Sequence, residues 1–233
     1  MDKNYTNHSG MSNHHVFSDE EKRGVYRAIR ERRDIRAQFI NTPVPDQVLR
    51  RLLEAAHHAP SVGFMQPWNF LVVKDPVIKQ KVHGAFEQAH AQSAAMFPPE
   101  KREQYKKFKL EGILEAPVNL LITCDRTRTG PVVIGRTVQP EMDLYSTVCA
   151  VQNLWLAARA EGLGVGWVSI VEEQDLQKIF SLPKQVRVIA YLCVGYVSHF
   201  PDRPELEQAG WLPRMDLDEL IFYEQWGRKE QGE

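Results

Sequence analysis

Short apolar runs separated by segments with helical periodicity are the feature that most constrains the fold of this chain. Three runs, at residues 69–73, 118–124 and 186–196, have the length and composition of buried strands. Residues 164–170 are predicted to be a glycine-rich loop that leads into a further strand. No internal repeat and no linker rich in glycine or serine divides the 233 residues, so we expect one domain of mixed helix and strand at 18–233.

Capping signals and apolar spacing predict helices between these strands. Ser18 and Glu21 form a capping box, which predicts a first helix running to about Arg32. The other predicted helices span residues 45–56, 77–91, 140–158 and 172–180. The helix that opens at Pro140 is predicted to be the longest. Its apolar and small residues spread around much of its circumference, which makes it a candidate subunit interface.

Composition and charge exclude several classes of protein. A net charge of −1 argues against a protein whose main task is to coat nucleic acid, and no apolar run is long enough to span a membrane. Residues 1–15 are polar, which predicts a flexible tail at residues 1–17 rather than a signal peptide or an anchor. The widely spaced Cys124, Cys149 and Cys193 lie in apolar contexts, which favours buried structural thiols in a reducing cytoplasm over disulfides or a metal site.

Two segments differ from the rest of the chain in character. Residues 92–115 are rich in lysine, glutamate and glutamine, and we interpret them as a partly helical excursion that forms a lid over a site; a solvated insert is the alternative. Residues 198–233 are loop-rich but keep many aromatic and aliphatic side chains. We therefore expect this C-terminal extension to pack on another surface, such as a partner subunit.

An arginine-rich segment, residues 30–36, is the first candidate for chemistry. It holds four arginines with Asp34 in their midst. Guanidinium groups are permanently charged, and their planar donors suit phosphate and carboxylate oxygens. Taken alone, the segment is more typical of the solvated basic end of a helix, and Asp34 of a salt-bridge partner for Arg32 or Arg36. Glycine-rich nucleotide loops and the H-E-x-x-H zinc motif are absent from the sequence.

Three stretches occur in an order that is typical of one family: residues 32–36, 59–68 and 162–170. They resemble the nitroreductase-like flavoproteins, whose members pair an R-x-S-x-[RK] segment with P-S-x-x-x-x-Q-P-W and a G-L-G strand lead-in. The likeness covers roughly residues 25–215. The resemblance implies an α+β, nitroreductase-like fold with a mixed, mainly antiparallel central sheet flanked by helices. It also implies an FMN site and a homodimer with the flavin at the subunit interface.

One position departs from the reductases of this family, which commonly have serine where this chain has Asp34. Together with residues 127–131, 142–146 and 210–214, this resembles a branch of the family whose members make 5,6-dimethylbenzimidazole, the lower ligand of vitamin B12. The resemblance implies that reduced FMN is a substrate, consumed with molecular oxygen as co-substrate, and that erythrose 4-phosphate is released. A separate flavin reductase is one candidate supplier of the reduced FMN.

Two other functions are compatible with the same motifs. An NAD(P)H-dependent nitro- or quinone reductase would keep FMN bound and recycle it. A flavin-binding or delivery protein would bind FMN reversibly, but binding alone gives no reason for a carboxylate at Asp34 beside phosphate-binding arginines. A flavin that reacts with oxygen must be shielded from water, so a flavin covered by residues 92–115 favours the oxygen-dependent reaction and an open flavin favours the reductase.

The resemblance also implies roles for individual residues. The arginines at 32, 33 and 36 would bind the phosphate and ribityl end, and Asp34 would remove a proton at ribityl C1′, which serine could not do at neutral pH. Residues 168–170 would lie at the start of a strand beside the flavin ring, where Ser169 would hydrogen-bond the reacting flavin; an ordinary strand-end serine is the alternative. The predicted flavin-binding residues are Arg32, Arg33, Asp34, Ile35, Arg36, Ser61, Gln66, Val168, Ser169, Ile170 and Arg214. Asp34 and Ser169 are the predicted catalytic residues, and no metal ligand is predicted.

Overall fold

The computed structural model describes residues 16–229, so residues 1–15 of the predicted N-terminal tail lie outside the described residues. The described chain divides into two compact units, one ending at Phe200 and the other beginning at Pro201. The helices of the first unit are α1 (Asp19–Glu31), α2 (Asp46–His57), α3 (Pro76–Met96), α4 (Pro99–Lys106), α5 (Met142–Ala160) and α6 (Glu173–Ile179). Its strands are β1 (Trp68–Val73), β2 (Val118–Asp125), β3 (Leu163–Val168) and β4 (Val186–Tyr196). The second unit holds α7 (Glu205–Gln208) and α8 (Leu217–Leu220).

The four strands form one sheet in the order β1-β2-β4-β3, and each neighbouring pair is antiparallel. Strand β3 is therefore an edge strand of the antiparallel part, paired with β4 from Leu163 opposite Tyr196 to Val168 opposite Tyr191. On its other side a single parallel bridge joins Val165 to Asp34. The predicted α+β fold, with a mixed, mainly antiparallel sheet flanked by helices, is confirmed.

Both faces of the sheet are buried, which explains why β2 is a continuous apolar run. Leu120 and Ile122 pack in a core with residues of α2 and α5, whereas Leu121 between them packs in a second core with residues of α3 and α6. Successive side chains of a strand point to opposite faces, so this alternation follows from strand geometry. Ile35, directly after Asp34, belongs to the second core and is fully buried.

Helix α1 begins as the capping box predicts. The Ser18 hydroxyl accepts a hydrogen bond from the amide of Glu21 at 3.2 Å, and the Glu21 carboxylate accepts one from the Ser18 amide at 2.7 Å. Both bonds satisfy amide groups that the first turn of a helix leaves without partners. The helix ends at Glu31, so the arginine-rich segment emerges from its C-terminal end.

The prediction that the helix opening at Pro140 is the longest was wrong. Helix α3 has 21 residues and α5 has 19, because α3 continues through an alanine-rich stretch to Met96 instead of ending near residue 91. Its C-cap is Phe97, whose extended backbone is the conformation favoured before Pro98. Residues 92–115 are therefore the last turn of α3, the whole of α4, and a return segment to β2.

The placement of residues 168–170 at a strand start was also wrong. Strand β3 begins at Leu163 and ends at Val168, so Ser169 and Ile170 follow its C-terminal end. The glycines before Val168, which suggested a loop, lie inside the strand or directly before it. The second unit is short, and Leu212, Leu217 and Trp226 are exposed in it. Among residues 16–229, no helix is both long and apolar enough to cross a bilayer.

Candidate active site

Asp34 lies where the chain leaves α1 and runs beside the edge strand β3. The amide of Ile35 donates to the carbonyl of Val165 at 3.0 Å, which holds this segment against the strand. One carboxylate oxygen of Asp34, Oδ1, accepts a hydrogen bond from the Trp167 amide at 2.9 Å. The other, Oδ2, accepts one from Arg36 Nη2 at 2.7 Å. The Asp34 side chain is 33% exposed, so an accessible carboxylate is fixed near the end of β3.

Two glycines of β3 make this close approach possible. A Cβ atom on Gly166 would lie less than 3.0 Å from the carbonyl oxygen of Ile35, and one on Gly164 would clash with the side chains of Ile35 and Val197. Only glycine therefore allows the Asp34 segment to pack against the strand. The glycine-rich stretch that suggested a flavin protein has this local structural cause.

Arg33 and Arg32 have different surroundings although they are adjacent. Arg33 Nη1 donates to the carbonyls of Arg30 and Arg32, each at 2.8 Å, and so binds the C-terminal end of α1. The guanidinium of Arg32 lies over the Trp155 ring of α5, 5.1 Å from its centroid. Within residues 16–229 it makes no hydrogen bond. Its donors are therefore available to a ligand.

Arg36 is more buried than Asp34 and is held on both sides. Its side chain is 13% exposed, and its Nε has no hydrogen-bond partner among residues 16–229. Its amide donates to Gln38 Oε1 at 3.3 Å. A Cβ atom on Gly112 would lie 2.7 Å from the Arg36 carbonyl oxygen, so the return segment after α4 packs directly on this part of the site.

The second predicted stretch forms a strained loop between α2 and β1. The backbone is left-handed at Gly63 (φ 57°), Phe64 (φ 52°) and Gln66 (φ 49°). The Ser61 hydroxyl accepts a hydrogen bond from the Gln66 amide at 3.1 Å and closes the loop. A non-glycine residue in this region costs about 1–3 kcal/mol and persists where the surroundings enforce it, often at a functional site.

The surroundings that enforce the loop include a residue that sequence reasoning had not assigned to the site. Arg128 Nη1 donates to the carbonyls of Gln66 at 2.7 Å and Trp68 at 2.9 Å. The amide of Val62 donates to the Ser146 hydroxyl of α5 at 3.2 Å. The sequence signal for Arg128 is its place in residues 127–131, one of the stretches that carry the family resemblance.

A buried carboxylate supports the segment that carries Arg128. Asp143, which is fully buried at the start of α5, accepts a hydrogen bond from Arg126 Nε at 3.1 Å and lies 3.7 Å from Arg136 Nη1. A buried charge is tolerated when it is paired in this way. Arg136 also donates to the carbonyls of Arg126 and Gly130, so the network fixes the loop between β2 and α5.

The structure brings Asp34 close to residues 168–169, but the predicted ring-binding loop, Ser61–Gln66, lies apart from them. Val168 is buried at the end of β3, exposed Ser169 follows it, and both are within a few residues of the Trp167 amide that binds Asp34. The Ser61–Gln66 loop contacts the other end of α5: Ser146 binds the loop and Trp155 binds the Arg33 carbonyl. At 1.5 Å per helical residue, these two contacts lie about 13 Å apart along α5. Arg214 is exposed and lies in the second unit.

Two of the three cysteines are buried, unreactive thiols. Burial raises the pKa of the Cys124 thiol to about 11 and raises that of Cys193 still further, so both stay protonated at neutral pH. The prediction that all three cysteines are buried was wrong for Cys149, which is exposed on α5. Its apolar neighbours in sequence lie on other faces of the helix, because successive residues are about 100° apart. The described residues contain no group of three or more side chains that could hold a metal.

The chain belongs to the nitroreductase family of enzymes, whose sequence model matches residues 29–196. The family resemblance predicted from the motifs is confirmed. The chain is 38% identical over 199 residues to the 5,6-dimethylbenzimidazole synthase of Rhodospirillum rubrum, a match that covers 85% of this chain and 94% of that protein. It is 33% identical over 195 residues to the protein of the same name from Rhodobacter capsulatus, which covers 84% of this chain and 94% of the relative.

A solved structure with the same fold is that of oxidized iodotyrosine deiodinase bound to FMN and 3-iodo-L-tyrosine. The two chains superpose with a TM-score of 0.68 at 23% identity, over 86% of this chain and 98% of the deiodinase. At this level of identity the comparison shows a shared fold.

Proposed function

We propose that this enzyme fragments reduced FMN with molecular oxygen to give 5,6-dimethylbenzimidazole and erythrose 4-phosphate. The observation that carries the proposal is the carboxylate of Asp34, held by two hydrogen bonds at the end of β3 and partly exposed. The Rhodospirillum rubrum relative, which matches 85% of this chain and 94% of its own length, is named a 5,6-dimethylbenzimidazole synthase, and this name supports the proposed product. A reductase would have no need of a base at this position.

The residues of the candidate site suit FMN. The Arg32 guanidinium makes no hydrogen bond within residues 16–229, and Arg33 lies next to it in the chain, so both can bind the phosphate. Ser61 and Gln66 lie in a loop whose strained backbone presents polar groups that can read the edge of the ring. Bound FMN would supply the oxygen-reactive ring and the ribityl carbon that enters the product.

Within this site, Asp34 accepts the proton that leaves ribityl C1′. Each oxygen of an ionised carboxylate has more than one acceptor position, so the bonds to Arg36 and Trp167 leave room for that proton. Ser169 is exposed beyond β3 and would donate a hydrogen bond to the reacting flavin. Ile170 is partly exposed and would contact the ring, whereas Ile35 and Val168 are buried and would support this part of the site from the core.

We assign residues 92–115 as a lid that excludes water from the reaction. The return segment packs on Arg36 at Gly112, so one end of the excursion already borders the site. Arg102 donates to the carbonyls of Ala94 and Phe97, which ties α4 to the end of α3. Lys79, almost fully buried, donates to the Pro117 carbonyl at 3.2 Å and anchors the same end, where the excursion leads into β2.

We further propose a homodimer with the flavin between subunits. Two exposed apolar surfaces adjoin α5, and such surfaces commonly mark interfaces. The first consists of Phe64, Val132, Ile134, Val138 and Tyr145, and the second of Phe17, Val25, Tyr26 and Ile29. Light scattering on the purified protein should give twice the mass of the chain, and I134D should shift the protein toward a monomer. A monomeric wild type would contradict this assignment.

The reaction itself is tested by aerobic incubation of the pure protein with reduced FMN, followed by chromatography and mass spectrometry. We expect 5,6-dimethylbenzimidazole to form, and to form only when oxygen is present. The reductase alternative predicts rapid NADPH oxidation with a nitroaromatic acceptor and full recovery of FMN. Cysteines Cys124, Cys149 and Cys193, which form no disulfide, suit a reducing cytoplasm, where a separate flavin reductase would supply the substrate.

A further inference from the structure

The sequence predicts one phosphate site for the arginines near Asp34, but Arg32 and Arg36 make different contacts in the structure. Arg32 has a guanidinium with no hydrogen bond within residues 16–229, above the Trp155 ring. Arg36 has its Nη2 on a carboxylate at 2.7 Å. A phosphate that recruited Arg36 would have to compete with a charge-assisted hydrogen bond that is already made, whereas one that recruits Arg32 would not.

Burial adds to this difference. The side chain of Arg36 is 13% exposed and that of Asp34 is 33% exposed, so the carboxylate is the more accessible member of the pair. The backbone of Arg36 is fixed by Gln38 on one side and by the approach of Gly112 on the other. A guanidinium held in this way has little freedom to turn toward a phosphate.

The contacts also fix the carboxylate itself. Asp34 and Arg36 are two residues apart in the chain, and their side chains meet in an ion pair at 2.7 Å. The Trp167 amide holds Oδ1 and Arg36 holds Oδ2, so a donor on each oxygen sets the rotation of the carboxylate about its own axis. Without Arg36, only the backbone amide would hold it.

We propose that Arg36 is a positioning residue that holds the Asp34 carboxylate in its reactive orientation, and that it is not a phosphate ligand. The inference rests on the proposed role of Asp34 as the base. Arg36 acts through Asp34, so its loss should slow the reaction of bound flavin while leaving recognition of the phosphate intact. The phosphate then depends on the arginines that precede Asp34, Arg32 first among them.

The first experiment measures the affinity of each variant for oxidised FMN and for riboflavin, which lacks the phosphate, by quenching of flavin fluorescence. The affinity for FMN divided by the affinity for riboflavin measures the contribution of the phosphate. R36Q should keep the wild-type value of this ratio. R32Q should reduce it by about tenfold or more, as expected for loss of a charge-assisted contact. R51Q is the matched control, because Arg51 makes an ion pair of the same 2.7 Å length with Glu161 away from the site. A fall in the ratio for R36Q equal to that for R32Q would overturn the proposal.

The second experiment measures 5,6-dimethylbenzimidazole formation at saturating reduced FMN. R36Q should be slower than wild type by about 10- to 100-fold, the scale expected for a misplaced catalytic group. R36K should recover part of the rate, because it restores the charge without the planar fork. R51Q should match wild type. An R36Q rate equal to wild type would also overturn the proposal, whatever its effect on flavin affinity.

The failure of this inference can be told apart from failure of the proposed function. If wild type forms no product, the proposed reaction is wrong, and the affinity ratio still decides whether Arg36 binds phosphate. A thermal-denaturation cycle of D34N, R36Q and the double variant then tests the contact itself. The double variant should lose less stability than the sum of the single variants, because each single variant leaves a partly buried partner unpaired. If the stability losses of D34N and R36Q add up in the double variant, the two side chains do not interact and the proposal is wrong.

Discussion

The two halves of the candidate site are built in opposite ways. The Asp34 segment is an extended chain packed on a strand, with an unstrained backbone and a charged side chain held by hydrogen bonds. The Ser61–Gln66 loop is strained at Phe64 and Gln66, and it offers backbone and amide groups without charge. The first construction suits a group that must be placed accurately for a proton transfer. The second suits recognition of a polar ring edge.

Replacing the carboxylate should give the largest effect on activity. D34N keeps the shape of the side chain but cannot take up a proton, so product formation should fall by about 100- to 10,000-fold, the usual contribution of a general base. Binding of oxidised FMN should change little. Synthesis is measured by mass spectrometry and binding by fluorescence quenching. If D34N makes product at the wild-type rate, Asp34 is not the base.

A side chain at Gly166, where β3 packs against the Asp34 segment, should give the largest effect on stability. G166A places a Cβ where the Ile35 carbonyl lies, so we expect a loss of about 1–3 kcal/mol in the free energy of unfolding. G84A is the matched control, since nothing lies within 4 Å of a Cβ at Gly84 in α3, and alanine there should stabilise by about 0.5–1 kcal/mol. Urea denaturation measures both. Equal stability of the two variants would show that the close packing at β3 is absent.

Loss of the Arg128 contacts to the Ser61–Gln66 loop should weaken flavin binding and leave the rate of the reaction nearly unchanged. R128Q removes the donors to the Gln66 and Trp68 carbonyls, so flavin affinity should fall by about tenfold, the equivalent of one hydrogen bond. The rate at saturating flavin should stay within a few-fold of wild type. R51Q is the control, because Arg51 pairs with Glu161 at 2.7 Å away from this loop. A large loss of rate with unchanged affinity would reverse the roles of the two halves.

The smallest effect is expected from the hydroxyl that closes the loop. S61A removes the acceptor for the Gln66 amide, a bond worth about 0.5–1.5 kcal/mol, so affinity should fall by a few-fold. S61T keeps the hydroxyl and should retain most of the affinity. Binding of FMN, followed by fluorescence, compares the three proteins. Identical affinities for S61A and wild type would show that the loop does not depend on this bond.

Sequence reasoning located the strands, the capping box and the residues around Asp34, because each depends on local pattern. It also offered Arg36 as a salt-bridge partner for Asp34, which the structure bears out. It missed the role of Arg128, because that side chain supports residues about 60 positions earlier in the chain. Such long-range contacts leave no periodic signal in one sequence.

The wrong predictions also concern features that depend on packing between distant residues and not on local sequence pattern. Helix α3 continues past residue 91 because its alanine-rich end, a weak helix signal in the sequence, stays helical up to the C-cap at Phe97. Helix α5 begins later than predicted, at Met142, so Pro140 lies outside it. The exposure of Cys149 could not be predicted, because apolar residues occur on all sides of α5 and do not show which side faces solvent. The glycines around β3 predicted a loop, and only the packing of Ile35 explains why they occur in a strand.

The central claim is that Asp34 enables an enzyme of this fold to consume its flavin. The most direct test incubates wild type and D34N aerobically with reduced FMN carrying ¹³C at ribityl C1′. For wild type we predict 5,6-dimethylbenzimidazole that carries the label, together with unlabelled erythrose 4-phosphate, and for D34N only reoxidised FMN. Full recovery of labelled FMN from wild type, with no benzimidazole, would contradict the account.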